Sequence, residues 1–218
     1  DWFPESFAYF TKFSNVAWND DKGVFYKKNS NKEFFAKDST YQLYYHKIGD
    51  IQSKDQLVFD TSNTKSNFSF FTKQNKLFIV ETSEDETTKN YYYSTIENES
   101  FQFKNFIKDD KSNLELLNII NDKFYFSDEK YSWGNISYFD INNRTENTIL
   151  IPQVYSHLLV GATFLENYII CKYDNMGKYY MSIHDYTGKF IRKFEAPHNM
   201  DFQIRFYDEK TNELFVTF

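Results

Sequence analysis

The stretch from Leu158 to Phe194 reads LLVGATFLENYIICKYDNMGKYYMSIHDYTGKFIRKF, and its punctuation decides the fold. Four short runs stand out: Leu158 to Thr163, Asn167 to Lys172, Tyr179 to Asp185 and Phe190 to Phe194. Between them lie Leu165-Glu166, Asp174-Asn175-Met176-Gly177 and Tyr186-Thr187-Gly188-Lys189. Short runs rich in aromatic and aliphatic side chains, bounded by Asn, Asp and Gly, read as strands. Connections this brief join only antiparallel neighbours, because a parallel crossover needs a dozen or more residues. The stretch therefore predicts a four-stranded antiparallel meander.

Outward from that stretch the same unit recurs. A polar turn followed by a short apolar strand appears at Gly23-Val24-Phe25-Tyr26, Lys76-Leu77-Phe78-Ile79-Val80, Lys123-Phe124-Tyr125-Phe126, Tyr168-Ile169-Ile170-Cys171 and Glu213-Leu214-Phe215-Val216. With Val24, Leu77, Lys123, Tyr168 and Leu214 as markers, the spacings are 53, 46, 45 and 46 residues. A period of that length with four strands per period is the signature of a β-propeller. The fold class expected is all-β, about four and a half four-stranded blades. Blades are expected over 1–60, 61–108, 109–152, 153–195 and, in part, 196–218. In the first, the strands read Phe13 to Trp18, Gly23 to Lys28, Tyr41 to Lys47 and Gln56 to Phe59, with a longer polar loop from Asn29 to Thr40. In the second they read Asn67 to Thr72, Lys76 to Thr82, Lys89 to Thr95 and Phe101 to Ile107; the third blade runs from Leu114 to Ile151. The segment Asn113 to Asn118 is too short for a helix and is placed as an inner strand. The chain ends at Phe218 inside a second strand, which reads as a piece of a longer propeller with uncovered blade faces through which it is expected to self-associate.

Composition agrees. Eighteen Tyr and 25 Phe make the chain 21% aromatic, material for a core built from rings. Only 6 glycines are present, so Asn and Asp must supply many of the left-handed turn positions. The net charge is −6, with 25 basic residues scattered among 31 acids, so a nucleic-acid interface is not expected. A single cysteine, Cys171, excludes an intrachain disulfide and a thiolate metal cluster. No apolar run is long enough to span a membrane as a helix. The expected compartment is the cytoplasm, and the sequons at Asn67, Asn98, Asn135 and Asn143 read as products of an Asn-, Ser- and Thr-rich composition.

Catalytic patterns are absent from the sequence. None of the glycines (23, 49, 134, 161, 177 and 188) frames a serine as a nucleophile elbow does. His46 reads as a structural histidine, and His184 and Asp185, adjacent on a strand, point to opposite faces. No metal or cofactor site is expected, and His157 and His198 complete the histidines without metal-ligand spacing. One loop stands out by charge: Glu81-Thr82-Ser83-Glu84-Asp85-Glu86-Thr87-Thr88 carries four acids. Facing solvent it is an ordinary loop; facing a cavity it would concentrate cationic ligands.

Several of these phrases resemble the prolyl oligopeptidase family of serine peptidases. They are Lys12-Phe13-Ser14-Asn15-Val16-Ala17-Trp18, the Asp20-Asp21-Lys22-Gly23 turn, Tyr44-Tyr45-His46-Lys47-Ile48-Gly49-Asp50, and Gln52-Ser53-Lys54-Asp55, with further likeness over Asn121 to Pro152 and Tyr168 to Phe194. The resemblance implies a seven-bladed propeller covering the active site of an α/β-hydrolase domain, its partner in the same protein. It implies a gate that admits short proline-containing peptides to a triad that no residue here supplies. This chain alone is then expected to be inactive. Family members line the substrate cavity with an arginine followed by a cysteine in the loop that here reads Thr82-Ser83-Glu84-Asp85-Glu86. By that resemblance Ser83, Glu84, Asp85 and Glu86 are the candidate cavity-lining residues, with a positive contact replaced by neutral and negative ones. A propeller serving only protein interaction is the alternative.

Overall fold

The computed structural model describes residues 15–29, 40–97, 99–112, 114–144, 146–197, 200–208, 210–211 and 213–217. The loop expected between Asn29 and Thr40 lies almost wholly outside them, as do Phe13, Asn98, Asn113, His198 and Phe218. The chain divides into two compact units, 1–111 and 112–218.

The first unit holds two antiparallel sheets. One is the meander β1 (Val16–Asn19), β2 (Gly23–Asn29), β3 (Tyr41–Lys47) and β4 (Gln56–Asp60), with a single 3-10 turn at Gln52–Lys54 before β4. The other is β5 (Asn67–Lys73), β6 (Lys76–Thr82), β7 (Lys89–Thr95) and β8 (Lys104–Asp110). Side chains alternate across each pleat. From the first sheet Ala17, Phe25, Leu43 and Tyr45 therefore meet Phe68, Phe70, Leu77 and Ile79 from the second in one buried cluster. Rings close it edge to face: Phe101 lies 5.4 Å from Phe25 and 5.6 Å from Tyr45, and Phe103 lies 5.6 Å from Phe59.

The second unit has two more four-stranded meanders and a hairpin. They comprise β9 (Glu115–Ile120), β10 (Lys123–Ser127), β11 (Ile136–Asp140) and β12 (Thr148–Ile151); then β13 (Leu158–Phe164), β14 (Ile169–Asn175), β15 (Lys178–His184) and β16 (Phe190–Glu195); then β17 (Gln203–Asp208) paired with β18 (Glu213–Thr217). β14 shows how one strand serves two interfaces. Ile169, Cys171 and Tyr173 pack with Tyr125, Ile136 and Ile151, while Ile170 points the other way to meet Met181 and Phe202. The chain is thus all-β, in the blade-like sheets that the repeat predicts, and of the segment expected over Asn113 to Asn118 the part from Glu115 lies in a strand, Glu115 to Ile120, at one edge of its sheet.

Turn chemistry accounts for the hairpins. Gln74-Asn75, Asn121-Asp122 and Met176-Gly177 each place two successive residues at positive φ, the type I′ geometry whose twist matches the flanking strands. Asn and Asp supply several of these positions, as the shortage of glycine requires. Met176, 89% exposed and at φ 52°, does so without that chemistry, and its partner Gly177 carries the local preference.

Strands β8 and β14 have other bounds than the sequence suggests. β8 starts at Lys104 and not Phe101, because Phe101 and Phe103 turn their rings into the core and the backbone before Lys104 bonds elsewhere, Gln102 N–H donating to Ser94 Oγ at 2.8 Å. β14 runs to Asn175, which shortens the expected four-residue turn to the two residues Met176-Gly177.

Candidate functional site

The acidic loop connects β6 to β7, and the structure splits its acids into three roles. Glu81 is still part of β6 and is only 8% exposed. Its carboxylate accepts from Ser66 Oγ at 2.5 Å, Thr64 Oγ1 at 3.3 Å and Tyr92 OH at 2.8 Å. A buried carboxylate is tolerated when it is hydrogen-bonded in this way. Burial, reinforced by that bond, pushes the Tyr92 hydroxyl up to about 12.

Asp85 builds the turn. Its Oδ1 accepts from Ser83 Oγ at 2.6 Å, from Thr87 Oγ1 at 2.9 Å and from Thr87 N–H at 3.2 Å. Ser83 Oγ in turn accepts from Thr88 N–H at 3.0 Å. The Ser83 hydroxyl, followed by the Thr87 donors, holds the Asp85 carboxyl below its ordinary value. Glu84 and Glu86 take no part in this network. Both are exposed, and among the described residues neither side chain has a hydrogen bond or ion pair, although the Glu86 backbone N–H donates to the Ser83 carbonyl oxygen at 2.9 Å. The four residues marked in the sequence therefore stand together, with Ser83 and Asp85 as scaffold and Glu84 and Glu86 as two free negative charges presented on it. Glu86 sits at φ 58°, which turns the chain back toward β7.

The histidines sort differently. His46 Nδ1 lies 2.7 Å from Asp55 Oδ1, while Tyr26 OH donates to Asp55 Oδ2 at 2.5 Å. This ties β2, β3 and the approach to β4 together and raises the Tyr26 pKa well above normal, through burial first and Asp55 second. His157 Nδ1 is 2.6 Å from Tyr180 OH. His184 is not hydrogen-bonded to Asp185: the strand expected to run to Asp185 ends at His184, and Asp185 opens the following turn, where its Oδ1 accepts from Thr187 N–H, Thr187 Oγ1 and Lys189 N–H.

A contact the sequence reasoning missed lies on the same strand. Ser182 Oγ is 2.6 Å from His184 Nε2, and His184 Nδ1 is 3.2 Å from the Gly188 carbonyl oxygen. A carbonyl only accepts, so Nδ1 carries the proton; burial lowers the His184 pKa, so the ring is neutral and Nε2 accepts the Ser182 hydroxyl proton. The signal was present as an i, i+2 spacing, which puts both side chains on one face of a strand. The pair lines a cavity of about 270 Å³ together with His157 and Lys193. Cys171, across from Ser182 on β14, is fully buried, and burial pushes its thiol up to about 12, so it is an inert core residue.

Among the described residues no group of three or more His, Cys, Asp or Glu could hold a metal ion, and no helix is long and apolar enough to cross a membrane. Asn135 of the sequons is 1% exposed and donates to Ser137, which closes it to glycan attachment in the folded state.

Comparison with known proteins then places the chain. Residues 5–218 match the family model described as prolyl oligopeptidase, N-terminal β-propeller domain. Among solved structures, prolyl oligopeptidase B from Galerina marginata, bound to a 35mer hydrolysis and macrocyclization substrate, superposes with a TM-score of 0.76 at 14% identity, over 95% of this chain and 30% of that one. A structure from a study of two prolyl endopeptidases gives 0.69 at 18% identity over 86% and 28%. Oligopeptidase B from Trypanosoma brucei, with covalently bound antipain in its closed form, gives 0.60 at 13% identity over 85% and 25%. Among curated proteins no sequence matches. The chain spans less than a third of the length of these solved relatives.

Proposed function

Because the chain belongs to the prolyl oligopeptidase family through its N-terminal β-propeller domain, we propose that it is the non-catalytic propeller segment of a serine peptidase and gates short proline-containing peptides to a hydrolase domain of the same protein. The match over residues 5–218 to the propeller carries this reading. The absence from the sequence of a glycine-framed serine elbow supports it, since the chemistry must then come from elsewhere in the protein. Fold alone does not fix function, so the activity needs its own test.

Within that reading the β6–β7 loop sets charge preference. The Glu84 and Glu86 carboxylates are free, exposed and held on a turn whose side-chain bonds come from Ser83, Asp85 and Thr87. Two uncompensated carboxylates at a cavity raise the local concentration of cationic peptides. The cytoplasm is the compartment that suits a chain with one cysteine, and it is buried.

The test is made on the full-length protein encoded with this chain, assayed on short proline-containing peptides flanked by lysine or by neutral residues. The expected result is cleavage after proline, with the Glu84→Ser, Glu86→Ser pair lowering kcat/KM for lysine-flanked peptides about three- to tenfold more than for neutral ones, the scale of two screened charges. Equal effects on both peptides would remove the loop from the cavity. A full-length protein that cleaves neither peptide, yet retains partners through its propeller, would establish the interaction module instead.

A further inference from the structure

Ser182 and His184, 6% and 9% exposed at the wall of the cavity, meet two geometric requirements of an activated serine. The nucleophile and base are within hydrogen-bond reach at 2.6 Å, and the base is oriented by a third group, here the Gly188 carbonyl at 3.2 Å. The arrangement is fixed by the fold. β15 places the two side chains on one face, the β15–β16 turn brings the Gly188 carbonyl to Nδ1, and Phe190 packs its ring edge-on to the imidazole at 5.8 Å. Lys193 stands directly across from Ser182 in the β15–β16 ladder and lines the same cavity. Its ammonium is held by Glu195 at 2.7 Å and lies 4.3 Å from the Tyr180 ring centre. Ile151, Pro152, Val154 and Phe190 give the cavity apolar walls, and at about 270 Å³ it has room for a small acyl or aryl group.

From this geometry we infer that Ser182 is an acyl-accepting nucleophile for small apolar esters, with His184 as its general base. Ser182 Oγ attacks the ester carbonyl carbon while its proton passes to His184 Nε2. Negative charge develops on the carbonyl oxygen beside the Lys193 ammonium, which stabilises it. The tetrahedral species collapses by breaking the bond to the leaving oxygen, and that oxygen takes the proton from His184 Nε2. Water, losing its proton to the same nitrogen, then attacks the acyl-serine; a carboxylic acid leaves and Ser182 regains its hydrogen. Activated esters are the substrate class because a phenolate departs without full protonation. A peptide amine does not, so the inference is consistent with a segment inert toward proline peptides.

The experiment uses the 218-residue chain, p-nitrophenyl butyrate and a fluorophosphonate probe, with modified peptides mapped by mass spectrometry. Both reagents should modify Ser182, and p-nitrophenolate release should exceed the buffer rate. Ser182→Ala should abolish labelling and release, and His184→Gln should lower both about 100-fold, within the range of a lost general base. Thermal melts of each variant verify folding. Because the pair exists only in the native fold, labelling of Ser182 in wild-type chain should vanish in denaturing urea, which keeps the inference testable if either variant unfolds. Modification that falls on another residue, survives Ser182→Ala, or persists at Ser182 in urea would overturn it, as would a native wild-type chain that stays unmodified.

Discussion

Replacing Gly188 with alanine isolates the contact on which the β15–β16 turn depends. Gly188 sits at φ +84°, and a Cβ added there would meet the Leu150 carbonyl oxygen at 2.1 Å. Two costs therefore add. The left-handed backbone costs an L-residue about 1–2 kcal/mol. Relieving a backbone clash that no side-chain rotation can avoid costs about 1–3 kcal/mol, as for other overpacked sites. The smaller unfolded-state entropy of alanine offsets about 0.4–1 kcal/mol of this. The net loss is about 3 kcal/mol, roughly 6–12 °C in Tm for a chain of this size. Two other glycines separate the terms. Gly177 shares the positive φ, +83°, but an added Cβ meets nothing within 4 Å, so Gly177→Ala should lose about 1 kcal/mol. At Gly161 φ is not in the left-handed region and the space is open, so Gly161→Ala should be neutral or slightly stabilising. Thermal unfolding followed by circular dichroism should rank the variants 161, 177, 188 in falling Tm. A Gly188→Ala chain melting within about 2 °C of wild type, or above Gly177→Ala, would refute the reasoning. Since the Gly188 carbonyl also orients His184, the same variant should lose ester reactivity at temperatures where it is still folded.

Two further outcomes follow from the first unit. Lys27 donates to Asn67 Oδ1 at 2.5 Å and Phe68 O at 2.8 Å, and burial lowers its pKa to about 8. The unfolded chain then binds more protons than the native one above that pH, so the urea midpoint should rise between about pH 8 and 9.5, and Lys27→Met should flatten the rise; a falling midpoint in wild type would contradict the assignment. The face of the first sheet opposite its core carries Val16 at 58% exposure, Trp18 at 60% and Leu57 at 46%, so the isolated chain should self-associate at micromolar concentration. Light scattering should show Trp18→Ser with Leu57→Lys moving it toward monomer, and an unchanged mass for that pair would clear this face of the role.

The repeat was legible because each blade repeats the same problem: short strands, apolar on both faces wherever sheets stack on either side. β14 shows it most fully, with Ile169 and Cys171 committed to one neighbour and Ile170 to the other. A continuous run such as Tyr168-Ile169-Ile170-Cys171 is therefore a strand between two sheets, and its recurrence gives the period. Where sequence and structure part, a side chain outside a strand has taken a core position. Phe101 and Phe103 look like the start of β8, since aromatic residues in alternation are what a strand offers. Their rings pack, half-buried, against the core from an irregular approach segment instead, a tertiary preference that local pattern does not record.

The candidate sites divide along the same line. Composition located the acidic loop but could not separate its members, because Glu81, Asp85 and Glu84 carry the same charge and differ only in what reaches them. A short Asp two residues from both a Ser and a Thr can close a turn through its own carboxylate, which Glu84 and Glu86, with longer side chains, do not do. That distinction is available in the sequence once the loop is known to be a tight return between paired strands. The Ser182–His184 contact required more. Spacing puts the two side chains on one face, but which ring nitrogen accepts is decided by the Gly188 carbonyl. That carbonyl faces Nδ1 because Gly188 lies at a positive φ hard against Leu150, on a strand nearly forty residues earlier. The chemistry of the pair is thus set by packing between two sheets, which is why a glycine without catalytic function belongs in the same set of variants as the serine and the histidine.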